Sequence, residues 1–555
     1  MTTVDQPHSV AHTTHEVLNQ PPPLVEYDLF AQDAVLQASV QREGASWANA
    51  QLHAVGTRAG TAEAIQWGFE ANEHPPKLHT HDRFGHRVDE VEFHPSWHRL
   101  METSVAWGLH ASPWRDPQAG AHVARAAAVY LWSQVEAGHT CPISMTYAAT
   151  PALRVQPALA AIWEPHLTSL EYDFGLRPVT QKRGALCGMA MTEKQGGSDV
   201  RANTTRAVAA GTDGAYLLTG HKWFCSAPMC DVFLTLAQTP HGLTCFVLPR
   251  VLPDGTRNAI HIQQLKEKLG NRSNASSEIE LDGAWATMLG PEGRGVPTII
   301  EMVNYTRLDC VIGSAAAMRQ AVAQAIHHTS YRHAFGRALI EQPLMRNVLA
   351  DLALECEAAT TLMLRLARAC DHAPTDEHEA HLKRLGTAIA KYWVCKRATA
   401  VVAEALECLG GNGYVEESIL PRLYREAPLN AIWEGSGNVN CLDVLRALSK
   451  EPASLAAYMD EIAQASGRNP HLDAAFNHLR AMLADQAAIE MRARRVVEQM
   501  AIVWQGALLV QHAPPAVAEA FCATRLGGAG GIAFGTLPTT VDATAIIARA
   551  WPRLA

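Results

Sequence analysis

Three short segments of the chain combine glycines, hydroxyls and carboxylates at spacings that could do chemistry. The first is Ala190-Met-Thr-Glu-Lys-Gln-Gly-Gly-Ser-Asp-Val-Arg-Ala202. Gly196 and Gly197 let the main chain approach a ligand closely, while Thr192 and Ser198 place hydroxyls at either end. The segment falls where helix-like sequence gives way to strand-like sequence, which suits a loop around a polar planar ring; a glycine turn capped by Ser198 and Asp199 has the same composition. The second runs from Glu407-Cys-Leu-Gly-Gly-Asn-Gly-Tyr414 through Glu417 and Arg422 to Glu426. Gly410, Gly411 and Gly413 at a helix end would expose N–H groups to a phosphate or pyrophosphate, and a plain helix C-cap reads the same way. The third, Ile432-Trp-Glu-Gly-Ser-Gly-Asn438, sets the Glu434 carboxylate beside Trp433 on a flexible loop. In apolar surroundings such a carboxyl has a raised pKa and can accept a proton.

Other candidates carry less. Gly528-Ala-Gly-Gly-Ile-Ala533 fits a dinucleotide fingerprint only superficially, because no βαβ pair follows it. His79, His81 and His86 lie in a polar stretch without a matching Cys/His set, so a solvated loop is expected and no metal site. No Ser-His-Asp or phosphate-loop signature occurs.

These segments must be positioned by a mixed scaffold. Helical spacing dominates from about Asp33 to Thr180, with helices expected at 124–135 and 151–163 and a small-residue turn, Cys141-Pro-Ile-Ser-Met-Thr-Tyr147, between them. Near Gly188 the character changes: 231–237, 243–248, 260–262 and 278–281 are strand-like runs parted by turn residues, which predicts a compact β domain. Helical periodicity then returns at 296–323, 343–370, 381–409 and 438–448, lengths that suit a bundle. Beyond Lys450, helices are expected at 471–483 and 487–510, followed by a glycine-rich loop from Gly527 to Gly535.

The 555 residues are 48% hydrophobic and 18% charged, which excludes a disordered, collagenous or disulfide-stapled chain. The net charge of −9 means that nucleic acid could be held only by a local basic patch. Twelve scattered cysteines with no Cys-x-x-Cys pair suit reduced, buried thiols. No secretory signal and no membrane-length apolar run is visible, so a cytoplasmic, membrane-free protein is expected.

Together the three segments resemble the two signature motifs of the acyl-CoA dehydrogenase family. The first signature is met at Ala190, Met191, Thr192, Glu193, Gly196, Gly197, Ser198, Asp199 and Ala202, the second at Glu407, Gly410, Gly411, Gly413, Tyr414, Glu417, Arg422 and Glu426. The resemblance implies an α+β multidomain fold: an N-terminal helical domain (1–187, with 1–15 a mobile lead-in), a middle β barrel or sandwich (188–292) and a four-helix bundle (293–450), here with an extra C-terminal helical domain (451–555). It implies FAD bound between β domain and bundle, in a homotetramer built as a dimer of dimers. Met191, Thr192, Gly197, Ser198, Phe224, Cys225 and Ser226 would hold the cofactor, with Gly410, Gly411, Trp433, Gly435, Ser436 and Asn438. Arg332 and Gln342 would reach the FAD of a neighbouring subunit. Phe224 takes the place of the family's usual stacking tryptophan, with Trp223 one residue early, so either ring could be the stacking partner. Glu434 stands where the family places its catalytic base.

Asn19-Gln-Pro-Pro-Pro23, Val91-Glu-Phe-His-Pro-Ser-Trp-His98, Cys141–Thr146, Met191–Val200 and Lys268-Leu-Gly-Asn-Arg-Ser-Asn-Ala275 narrow the resemblance to the AidB-type branch, associated with the adaptive response to DNA alkylation. That branch implies sequence-independent binding of duplex DNA through the C-terminal region, protection against alkylation damage, and a weak or undefined dehydrogenase activity. Residues 451–555 carry eight Arg or Lys against nine Asp or Glu, so the region is not basic as a whole. Arg492, Arg494 and Arg495 form its one cluster, with Arg446 and Lys450 near the junction; an arginine face paired to Glu490 and Glu498 is the plainer reading. A metabolic acyl-CoA dehydrogenase that ignores DNA is the rival expectation.

Overall fold

The computed structural model describes residues 14–211 and 214–552. The lead-in expected to be mobile lies, as far as residue 13, outside the described residues. The N-terminal part is built from α1 (Ala34–Arg42), α2 (Asn49–Ala59), α3 (Ala62–Glu73), α4 (Pro95–Ala106), α5 (Ser112–Arg115), α6 (Ala121–Ser133), α7 (Thr140–Leu153) and α8 (Pro157–Leu167). Every residue of α6 is buried. Its run of alanines lets neighbouring helices close on it from all sides.

Two expectations fail here. The single helix at 151–163 is two helices, because Pro157 opens α8 at its first position and Gln156 before it is extended. Pro151 instead sits in the last turn of α7. The stretch Cys141–Tyr147 is no turn: it forms the first half of α7, with Pro142 in the opening turn, where no N–H is needed. The three histidines lie on and beside a hairpin of β1 (Lys77–His81) and β2 (Arg87–Glu92). His79 binds Glu92 and His86 binds Asp82, and no group of described residues could hold a metal ion.

The middle strands are β3 (Cys187–Ala190), β4 (Arg206–Ala209), β5 (Ala215–Ser226), β6 (Val232–Thr239), β7 (Gly242–Pro249), β8 (Ile260–Leu265) and β9 (Ser276–Leu289). Pairing runs β6–β4–β5–β9–β7 and returns to β6, so the sheet closes into a barrel. Of these strands, β3 and β8 lie outside the ring, along β6 and β9. Closure removes free edges from an otherwise exposed sheet. Its interior is apolar, with Leu218, Phe233 and Phe246 almost fully buried.

The bundle contains α9 (Gly295–Tyr331), α10 (Pro343–His372), α11 (Glu377–Cys408), α12 (Ile419–Glu426) and α13 (Gly437–Lys450). Helix α9 runs past Ala323, where the apolar pattern suggested an end, because its last turns are still buried at His327, His328 and Thr329. A small hairpin of β10 (His333–Ala334) and β11 (Arg337–Ala338) follows, with Phe335 at its tip.

The C-terminal helices α14 (Pro452–Ala463), α15 (Pro470–Ala484), α16 (Ile489–His512), α17 (Pro515–Phe521) and α18 (Ala543–Ala550) pack onto the bundle. Trp504 of α16 lies against Gly386 of α11 so closely that a methyl group there would meet the indole at 2.5 Å. Buried Arg365 bridges Glu379 of α11 and Glu461 of α14 at 2.9 and 2.7 Å. Arg525 and Arg549 likewise reach Glu355 and Glu357 of α10. Apolar packing and buried ion pairs thus fix this region rigidly against the bundle.

Candidate active site

The first loop owes its shape to a charge that lies inside it. Glu193 is fully buried and bonds Lys222 at 2.9 Å, the main-chain N–H of Thr204 and the hydroxyl of Thr205. Burial alone would raise its carboxyl pKa, but the Lys222 ammonium and these donors hold it well below the usual carboxylate range. The caged carboxylate pins the loop to the barrel. Gly197 then folds over Thr192, whose hydroxyl lies 2.4 Å from where a β-carbon would stand. The Trp223 N–H donates to the Thr192 carbonyl at 2.8 Å, so the loop and the end of β5 are one unit.

A bulge in β5 between Lys222 and Cys225 turns both of those side chains inward and leaves Trp223 and Phe224 outside. Phe224 is 53% exposed, an aromatic face with no ring against it, and Ser226 follows on the same side. Cys225 is 1% exposed in the barrel core, so it would serve a cofactor through its main chain alone. The Lys266 ammonium stands over Trp223 at 3.4 Å and over Phe224 at 4.8 Å, and that lysine also bonds Glu278.

The Glu434 loop is held from three helices. The Lys391 ammonium of α11 donates to the carbonyls of Trp433 and Gly435, both at 2.6 Å. Arg307 of α9 donates to the Glu434 carbonyl at 3.0 Å, and Asn440 of α13 to the Gly435 carbonyl at 2.6 Å. Trp433 bonds Asn430. Under these restraints Glu434 adopts φ +57°, a left-handed conformation that costs a non-glycine residue about 1 kcal/mol. Its carboxylate accepts a 2.7 Å hydrogen bond from the Thr306 hydroxyl. Burial raises its pKa against the opposing pull of Thr306, Lys391 and Arg307.

Cys141, at the head of α7, joins the two halves. Its thiol lies beside the Ser226 hydroxyl and within electrostatic reach of the Glu434 carboxylate. Burial pushes that thiol up to about 12, so it stays protonated at neutral pH. The strand edge and the carboxylate loop thus converge on one place. A separate open groove of about 650 Å³ lies between Trp114 and α8, at the far end of α7, and holds none of these residues.

Arg332, Gln342, Gly410 and Gly411 gather at another surface. Arg332 donates to the Asn19 carbonyl at 2.6 Å, and Gln342 to the Ala334 carbonyl. Gly410 has φ +58°, and neither it nor Gly411 has an atom within 4 Å of a would-be β-carbon, which leaves an open cradle of main chain. Phe335 and Tyr414 stand 97% and 80% exposed on the same two segments.

Three family models match consecutive stretches of the chain: the adaptive response protein AidB N-terminal domain at residues 19–174, the acyl-CoA dehydrogenase middle domain at 188–284 and the acyl-CoA dehydrogenase C-terminal domain at 293–449. AidB of Escherichia coli is 49% identical over 521 residues, 94% of this chain and 96% of that protein. The chain belongs to the acyl-CoA dehydrogenase family, in its AidB branch. A match of that length must extend well past residue 449 into the C-terminal helices. Acyl-CoA dehydrogenase family member 11 of Caenorhabditis elegans is 31% identical over 82% of this chain and 78% of its own length. Among solved structures, ACDH-11 of Caenorhabditis elegans in complex with C11-CoA superposes with a TM-score of 0.86 at 28% identity, covering 94% of this chain and 95% of that one.

FAD is the cofactor of this family, and the residues here fit it. A half-exposed aromatic ring, hydroxyls at Thr192 and Ser226, and a glycine loop folded over Thr192 stand on the same barrel edge, as a ring-bearing dinucleotide requires.

The basic cluster does not hold together. Arg492 folds back onto the start of its own helix, bonding the Ala487 and Asp485 carbonyls and the Asp485 carboxylate. Arg494 points the other way and donates to the Asn438 side chain at 2.8 Å, so it belongs to the Glu434 loop. Neither Arg492 nor Arg494 pairs with Glu490 or Glu498, whereas Arg495 lies within electrostatic reach of Glu498. Arg495 is exposed on α16, as are Arg446 and Lys450 on α13, although Arg446 lies 3.5 Å from Asp443. Sequence reading missed Lys391, Thr306 and Arg307. A lysine in the apolar run Ile389-Ala390-Lys391-Tyr392-Trp393-Val394 was the available signal.

Proposed function

We propose that this protein is an FAD-dependent oxidoreductase in which Glu434 removes the α-proton of an acyl thioester, and that the same flavoprotein binds duplex DNA without regard to sequence and limits alkylation damage. The observation that carries the first part is a restrained, half-buried carboxylate that accepts from Thr306 and lies within electrostatic reach of Cys141, whose thiol is beside Ser226 of the barrel edge. Bound FAD supplies the hydride acceptor for the β-carbon. The chain's own residues do the rest. Glu434 takes the proton, Thr306 orients its carboxyl, and the clamped loop keeps that carboxyl aimed at the space between loop and barrel. Phe224, Thr192 and Ser226 seat the ring, with Met191, Gly197 and Ser198 along the loop. Gly435, Ser436 and Asn438 close the other side. Arg332, Gln342, Gly410 and Gly411 complete the cofactor site of a neighbouring subunit in a tetramer; the exposed Phe335 and Tyr414 beside them suit that contact.

Phe224 is the stacking ring, because it is the more exposed of the two and Lys266 stands closer over Trp223, at 3.4 Å against 4.8 Å. Phe224→Ala should release FAD at least tenfold more readily than the parent protein, while Trp223→Phe should retain it. Dialysis followed by the flavin-to-protein absorbance ratio reads both. The opposite order would assign the stack to Trp223.

The DNA reading is supported by the adaptive-response N-terminal domain and by outward-facing Arg446, Lys450 and Arg495, and not by Arg492 or Arg494. Changing Arg446, Lys450 and Arg495 together to Ala should weaken duplex binding for all sequences alike. It should also make the dependence of log Kd on log salt shallower by about 2 to 3. Fluorescence anisotropy at several salt concentrations measures this, and an unaltered slope excludes these residues. The rival, a metabolic acyl-CoA dehydrogenase indifferent to DNA, draws on the C11-CoA complex of the worm relative. It wins if a thioester reduces the flavin rapidly and no duplex binds near physiological salt.

A further inference from the structure

The loop that carries Glu434 has four successive carbonyls, from Trp433 to Ser436, and side chains from the bundle donate to every one of them. Asn440 serves Gly435 and Ser436, Arg307 serves Glu434, and Lys391 serves the two carbonyls that flank it. Lys391 differs from the others in kind. It is 1% exposed at the centre of α11, yet no carboxylate forms an ion pair with it among the described residues, whereas Arg307 has Asp443 at 2.7 Å. Two short contacts to neutral main-chain oxygens are what its ammonium has in exchange for water. A buried cation whose direct hydrogen-bond acceptors are both neutral is expensive to keep unless it serves a purpose. Its two acceptors bracket the one residue of the loop in a left-handed conformation.

We propose that Lys391 is a positioning residue for the reaction: its ammonium pins the carbonyls on both sides of Glu434, holds that residue in its left-handed conformation, and places a positive charge near the base. This rests on the reading of Glu434 as the base. Two distinct contributions follow. The clamp fixes where the carboxylate points, and the charge lowers the pH at which the carboxylate becomes available, alongside Thr306 and Arg307. Burial raises the Glu434 pKa while Lys391 works against it, so removing the charge leaves burial less opposed. The acid limb of any Glu434-dependent step then moves to higher pH.

The test uses the FAD-loaded protein and butyryl-CoA in deuterium oxide. Mass spectrometry follows α-hydrogen exchange, which needs the base but no net oxidation. Lys391→Met should slow exchange at least tenfold at neutral pH, move its acid limb upward by at least half a pH unit, and leave the flavin-to-protein ratio unchanged. Lys391→Arg keeps the charge and should restore the limb's position while recovering only part of the rate. Amide hydrogen exchange of residues 432–437 gives a readout independent of substrate: protection should fall in Lys391→Met. Full-rate exchange with an unmoved limb, or unaltered protection of the loop, overturns the proposal. If Glu434→Gln exchanges as fast as the parent protein, the reading of Glu434 fails instead, and a protection loss confined to the lysine variant shows that the clamp survives that failure.

Discussion

Glu434→Gln will keep FAD and lose about 10²–10⁴-fold in the rate of α-proton removal from a short acyl-CoA. The substitution is nearly isosteric. A glutamine oxygen can still accept from Thr306, and the left-handed backbone is no worse for glutamine than for glutamate. The lost property is the capacity to take a proton. Flavin absorbance under anaerobic mixing with butyryl-CoA, alongside α-deuterium exchange, reads the two halves of the reaction separately. The pH profile sharpens the expectation. Burial lifts the Glu434 pKa, so the parent protein should lose activity on acidification at a higher pH than an ordinary exposed carboxylate would dictate. A variant with the parent rate removes Glu434 from the chemistry and leaves a flavoprotein whose carboxylate loop is structural. In that event the DNA-binding reading becomes the main account of what the protein does.

The parts of this site that local sequence specifies were legible, and the parts set by distant contacts were not. Thr192 and Gly197 stand out because a loop near a ligand needs glycine, whereas Glu434 alone reads as a solvated surface carboxylate and gains its role only from the resemblance of the whole motif set to the family. The burial of the Cys225 thiol was not legible, because a bulge between Lys222 and Cys225 turns it into the barrel against the alternation that Leu218 and Lys222 set. The arginine triad looked like one patch because three charges fall within four residues, but on a helix 492 and 494 point in different directions. The partners of Lys391 lie more than forty residues along the chain, beyond the reach of any periodicity. The same holds for the helical character of Cys141–Tyr147, where proline and small residues suggested a turn and tertiary burial made a helix.

A second pair of carboxylates makes the stability of the whole assembly depend on pH. Glu136 follows α6 and Glu426 ends α12, and both are buried where the N-terminal helices, the loop after β8 and the bundle meet. Burial works against the ionised form of Glu136. Donors from His139, Gly138, Asn72 and Ser273 nonetheless hold its pKa below the usual range. Glu426 has no such donors. Burial first, and the nearby Glu136 charge second, raise its pKa to about 8, and one of its oxygens has no partner. The linkage signs are opposite. Glu136, with its folded pKa depressed, contributes stability above its unfolded pKa that is lost as pH falls. Glu426, with its folded pKa raised, contributes stability that is complete below its unfolded pKa and lost as pH rises towards 8. Stability should therefore peak near pH 5 as far as this pair is concerned. Glu426→Gln removes the alkaline loss alone. At pH 5 the variant should differ little from the parent protein. Above pH 8 it should be more stable by up to about 5 kcal/mol, because a tenfold change in proton affinity between folded and unfolded chains is worth about 1.4 kcal/mol. Urea unfolding of the FAD-loaded protein at pH 5, 6.5 and 8 measures the difference. Parallel curves for the two proteins across that range would mean that Glu426 is ionised in the folded state, with Arg422, whose Nε and Nη1 lack partners, as its counter-ion.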